Sequence, residues 1–200
     1  MLSVKHQFIL KSSHLVAGRA LCYVLTYMSI SGNMAVRLAQ LDGDRLVRLP
    51  PLVPAPPPRR TVWVSEDVFY DVQPPFEDHY DGTRLLQFRG ALDAFTNHYK
   101  VSVAEDPRSK PWDAFLARVD PVSEEIWDIR SLEPPQGIRC FGAFASLNEF
   151  VALTWDYREN ISDFNSAVRE CAAEWNALFG DIRPHSGGSL DAYLTNYHAV

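Results

Sequence analysis

Cysteine is scarce in this chain of 200 residues, and the three present, Cys22, Cys140 and Cys171, lie far apart. An odd, dispersed set excludes a disulfide framework closed within the chain and supplies no C-x-x-C zinc site. The thiols read instead as small buried groups in a reducing compartment. Long hydrophobic runs are also missing. The apolar run Ala20–Ile30 has eleven residues, against the roughly 20 that a membrane-spanning helix needs. There is no G-x-S-x-G elbow, no Walker-type loop and no Rossmann glycine fingerprint, which removes the catalytic and nucleotide loops with plain signatures. His79, between Asp78 and Asp81, lacks a second cluster to complete a metal sphere. No cofactor, no metal and no membrane partner are therefore expected.

What is present is a composition of 46% hydrophobic and 22% charged residues, ordinary for one globular, cytoplasmic domain. The net charge of −6 is unevenly spread. Residues 1–60 hold eight Lys/Arg and two Asp/Glu, and residues 61–83 hold six acids and no base. Residues 84–119 hold six bases and four acids, and residues 120–200 five bases and thirteen acids. A nucleic-acid binder usually shows a basic face, because phosphate contacts dominate its affinity. An acidic body disfavours direct DNA binding but leaves room for a local basic pocket.

Residues 1–33 read as a leader or an over-extended start. Lys5, Lys11 and Arg19 precede the apolar run, as in a signal or transit peptide, and Met34 is an alternative initiator. Residues 34–60 read as an N-terminal extension, with Asp42-Gly43 as a hairpin turn and Pro50–Pro58 as a polyproline spacer. Arg48-x-x-Pro51-x-x-Pro54 and Pro54-x-x-Pro57-x-Arg59 match patterns read by SH3-type grooves, so the spacer could serve an adaptor.

Regular patterning begins at Thr61. Thr61–Val64 predicts a short strand, which Val68–Tyr70 could extend. Arg84–Tyr99 predicts a helix, and Ser109–Val119 a second one burying Trp112 and Phe115. Glu125–Arg130, Gly137–Ala145 and Glu149–Trp155 predict three strands, and their short connectors imply an antiparallel meander. Phe164, Val168, Cys171, Trp175 and Leu178 predict a helix over 163–179, capped by Ser162 or Asp163 and stopped by Gly180. Residues 181–200 read as a loop-rich tail. The five tryptophans, Trp63, Trp112, Trp127, Trp155 and Trp175, read as core anchors.

Trp127-Asp128-Ile129-Arg130, then Ile138-Arg139-Cys140, then Phe150–Trp155 followed by Tyr157-Arg158 resemble the motifs of the RelE/ParE toxin superfamily, in particular its phage-derived, HigB-like branch. The resemblance covers residues 61–180. It implies an α+β, RelE-like domain: a short N-terminal strand, a two-helix hairpin, a three-stranded antiparallel meander and a C-terminal helix. It also implies a toxin of a toxin–antitoxin pair, an endoribonuclease cutting messenger RNA on the ribosome, with an antitoxin protein as partner. Attack of a ribose 2′-hydroxyl on its phosphate needs cations around the phosphorane, a proton acceptor and a donor. The resemblance assigns phosphate stabilisation to Arg139, a supporting role to Arg130, and an aromatic-basic terminus to Tyr157 and Arg158. The family's paired lysines are replaced here by Arg158-Glu159.

Two alternatives stay open. Arg139 and Arg130 could pair across the sheet with Glu125 or Asp128, leaving a non-catalytic protein-binding module of phage or mobile-element origin. His185, Tyr197 and His198 are further acid–base candidates, in the tail.

Overall fold

The computed structural model describes residues 33–52, 59–76, 80–133 and 137–200. The leader with Cys22, most of the polyproline spacer and His79 fall outside the described residues. In chain order the elements are α1 (residues 33–41), β1 Leu46–Arg48, β2 Thr61–Ser65, α2 Glu66–Asp71, α3 Tyr80–Thr96, β3 Val101–Ala104 and β4 Leu116–Arg118. They continue with β5 Ile126–Arg130, β6 Ile138–Ser146, β7 Glu149–Tyr157, α4 Phe164–Phe179 and β8 Tyr197–Ala199.

The three central strands pair antiparallel in the order β5-β6-β7. Here the architecture departs from the expected RelE-like domain. The meander is the middle of an eight-stranded sheet ordered β1-β2-β7-β6-β5-β4-β3-β8. The sheet is mixed: β2 runs parallel to β7, and β3 runs parallel to both β4 and β8.

Each departure has a local cause. The expected second helix, Ser109–Val119, is a turn followed by β4. The Asp106 carboxylate accepts from the Arg108 amide at 2.9 Å and from the Ser109 hydroxyl at 3.0 Å. That side chain closes a turn and takes the hydroxyl that would have capped a helix. No two-helix hairpin forms, and Trp112 is exposed rather than buried. Val68–Tyr70 belong to α2 because the Ser65 hydroxyl accepts from the Val68 amide, with Glu66 and Asp67 at the positive end of the helix. Residues 34–41, read as one arm of a hairpin, are helical, with Met34, Leu38 and Leu41 buried on one face. The tail supplies β8 and buries Leu190, Tyr193 and Leu194.

The sheet separates two apolar layers. On one face α2, α3 and the tail cover Ile138, Cys140 and Phe144 of β6. On the other α1 and α4 cover Phe141, Ala143 and Ala145 of the same strand, the period-2 alternation of a sheet buried on both sides. Cys140 and Cys171 are buried free thiols, and desolvation pushes both well above the ordinary range.

A bulge in β7 decides where the strand ends point. Gly142 pairs with Ala152 and Phe141 with Thr154, so Leu153 is an extra residue. Gly142 is required there, since a Cβ would lie 2.1 Å from the Val151 carbonyl oxygen. Beyond the bulge the alternation is inverted. Trp155 and Tyr157 turn to the α3 face, where the Arg84 guanidinium lies 3.7 Å from the centre of the Tyr157 ring. Arg84 also grips Glu159 with two bonds of 2.6 and 2.8 Å.

Arg60 fastens the tail. Its guanidinium is buried and donates to the carbonyls of Phe95 (3.3 Å), Tyr99 (3.0 Å) and Asn196 (2.9 Å), and to that of Thr195. It also lies 4.9 Å from the centre of the Phe95 ring. Burial lowers its pKa to about 10, and the negative end of α3 offsets part of the desolvation. Arg60→Met leaves these buried carbonyls without their donor. The expected loss is about 2–4 kcal/mol in urea unfolding, with faster amide exchange concentrated in β8 and the end of α3.

Candidate functional site: a basic pocket at the start of α4

The site grows from one buried carboxylate. Asp128 and Arg130 are two apart on β5, so both side chains face the α4 layer. On β6, Arg139 is the register partner of Arg130. The Asp128 Oδ2 atom accepts from Arg130 Nε at 3.0 Å and from Arg139 Nη1 at 3.1 Å. Asp128 is fully buried, Arg130 nearly so, and Arg139 half-buried. The other carboxylate oxygen, Oδ1, has no hydrogen-bond partner among the described residues.

Loops bring further groups to this end of the sheet. Arg130 Nη1 donates to the Pro111 carbonyl at 3.1 Å, which holds the 107–112 segment over the strands. Lys110 sits in that segment, with one long contact of 3.4 Å to the Arg118 carbonyl. Arg158, just past β7, lies 4.8 Å from the centre of the Phe164 ring, in the first turn of α4. Asp163 caps that turn, accepting from the Asn165 amide at 2.9 Å. The result is a cavity of about 300 Å³ lined by Lys110, Arg130, Arg139 and Arg158, with Trp112, Phe164 and Asn165 at its wall and Asp120 as the one acid among the described lining residues. A larger cavity, about 680 Å³, lies at the other end of α4. There Glu125 is spent on Arg118 at 2.7 Å and on the Tyr193 hydroxyl at 2.8 Å, so it holds the fold together.

The pocket has surplus positive charge. Four cations face Asp120 and the buried Asp128, giving +2. Arg139 spends one donor, on Asp128. Desolvation lowers the Arg139 pKa to about 10; Arg130 and Arg158 add to the fall and Asp128 opposes it. Burial likewise pulls the Lys110 ammonium below its ordinary value, opposed by Asp128 and assisted by Arg130 and Arg139. Charges that repel one another in a partly dry cavity gain when an anion enters.

Of the four residues singled out in the sequence, Arg130, Arg139 and Arg158 converge here. Tyr157 does not, because the bulge places it on the α3 face. The tail groups are elsewhere too. His185 bonds the Ala192 carbonyl at 2.9 Å, the Tyr197 hydroxyl donates to Asp191 at 2.9 Å, and His198 is exposed on β8. Lys110, Trp112 and Asn165 were not legible as site residues, since their approach depends on loops rather than on a motif. The described residues hold no group of three or more metal-ligating side chains and no helix long and apolar enough to cross a membrane.

No protein-family model, curated protein or solved structure matches the chain.

Asp128→Asn leaves a nearly buried guanidinium without its counter-charge. A loss of about 3 kcal/mol is expected, seen as a lower urea midpoint at unchanged slope. Anion affinity should also depend on Lys110. Its pKa lies below the ordinary 10.5, so binding should weaken as pH rises through that lowered value. Lys110→Arg should reduce the weakening and leave the part due to Arg139, whose pKa is about 10, which calorimetry across an alkaline pH series would show.

Proposed function

We propose that this protein is a binding module whose basic pocket takes a phosphate-bearing ligand. The observation that carries this reading is the donor surplus. Three arginines and a lysine surround the cavity, and Arg139 has guanidinium donors to spare. A guanidinium presents its donors in a planar fork that matches phosphate oxygens.

The arrangement supports binding better than cleavage. General acid–base work needs groups that exchange protons near neutral pH. The guanidiniums do not, Asp128 is locked between two of them, and Tyr157 is on the other side of the sheet. One observation favours the ribonuclease as a second reading. Lys110 is a lysine with a lowered pKa among arginines that could stabilise a phosphorane. Ribosome-dependent cleavage of messenger RNA that vanishes in Arg139→Ala would establish that reading instead.

Pyrophosphate should stabilise the protein in thermal unfolding, by about 1.4 kcal/mol at ten times its Kd. Arg139→Ala should weaken it about ten-fold or more and Arg139→Lys less, with affinity falling as salt rises. No stabilisation at millimolar pyrophosphate would remove the phosphate reading.

A further inference from the structure

The pocket wall carries a feature that phosphate alone does not use. Trp112 is 77% exposed, the highest value among the exposed large hydrophobic residues described. A free indole face in water is a cost that a stacking partner removes. The backbone that carries it is anchored. Its neighbour Pro111 lends its carbonyl to Arg130 Nη1 at 3.1 Å, and the Asp106 turn closes the segment just before it. The indole is thus tied, through one residue, to the arginine that anchors the charged floor.

We infer that the occupant is a nucleoside monophosphate, its phosphate on Arg139, Arg158 and Lys110 and its base stacked on Trp112. This rests on the phosphate reading above and names the rest of the ligand. Three observations converge on it. A phosphate monoester carries close to two negative charges at neutral pH, which matches the +2 of the pocket with its two carboxylates. The cavity of about 300 Å³ is at the small end of ligand pockets, with room for one nucleotide. A polynucleotide would instead need a basic track for its backbone, and residues 120–200 hold thirteen acids against five bases. Asn165 and Asp120 at the wall supply an amide and a carboxylate that can bond the edge of a base.

The test is calorimetry on the full chain with ribose 5-phosphate, adenosine 5′-monophosphate, guanosine 5′-monophosphate and a short single-stranded RNA. At least one of the two nucleotides should bind about ten-fold more tightly than ribose 5-phosphate, the scale of one stacked base. Trp112→Ala should remove that difference without weakening ribose 5-phosphate, and Trp112→Phe should keep most of it. Because the indole is exposed, neither change should alter the fold. Equal affinity for the sugar phosphate and both nucleotides would overturn the stacking and leave the phosphate reading intact. RNA binding far more tightly than either nucleotide would overturn the single-nucleotide assignment. Failure of every phosphate to bind would remove both.

Discussion

A single carboxylate, Asp128, sets the charge balance on which the basic end of the sheet depends. It is fully buried on a central strand, and one of its oxygens receives two guanidiniums, from Arg130 and Arg139. Without it, two like charges would sit on adjacent strands in a poorly solvated layer. With it, one guanidinium becomes structural and the other half-buried and available. Buried ion pairs contribute little net stability, because desolvation offsets attraction. Their strength is in fixing geometry: the pair pins the register of β5 against β6 where the cavity opens.

The same economy recurs through the molecule. Arg60, Arg84, Arg89 and Arg130 are all buried and all engaged. Arg60 gathers carbonyls from α3 and the tail, Arg84 grips Glu159, and Arg89 pairs with Asp93 at 2.5 Å while donating to the Pro50 carbonyl. These ties close the layers where short strands supply few ladder bonds. β1, β4 and β8 are only three residues long. A chain that spends so many arginines internally gives meaning to the few it leaves over. Arg139, Arg158 and Lys110 face a cavity with donors to spare, which general stabilisation of the fold does not explain.

Legibility in the sequence followed element length and periodicity. β5, β6, β7 and α4 repeat apolar residues over enough positions to reveal their type, and of the two caps the sequence allows for α4 the structure uses Asp163, with Gly180 at the other end. The short strands β1, β3, β4 and β8 do not show themselves that way, since three or four residues do not establish a period. Thr61–Val64 reads as a strand, but its pairing with β7, like those of β3 with β4 and β8, joins segments distant in sequence. The facing of the β7 side chains is hidden for a different reason. One extra residue, Leu153, inverts every side chain after it, and nothing in the local sequence marks the insertion. The motif resemblance groups Tyr157 with Arg139 and Arg158, and the bulge places it on the opposite face of the sheet. Tryptophan usually is core, but the exposure of Trp112 depends on a turn set by Asp106, six residues away.

The acidic balance of the chain and the basic pocket are compatible once distance and dielectric are considered. The carboxylates of residues 120–200 are mostly exposed, and mobile ions screen them beyond roughly 8–10 Å. Lys110 and Arg139 are partly desolvated, so their field on an anion within the cavity is far less screened. The exposed acids thus act on an anion only within about a Debye length of the surface, while the pocket acts on what has entered it. The outer field opposes a long polyanion along its whole length, but a small dianion meets it only in transit. On the proposed reading, that asymmetry makes the acidic surface part of the selectivity, set by ligand size and not by affinity inside the cavity.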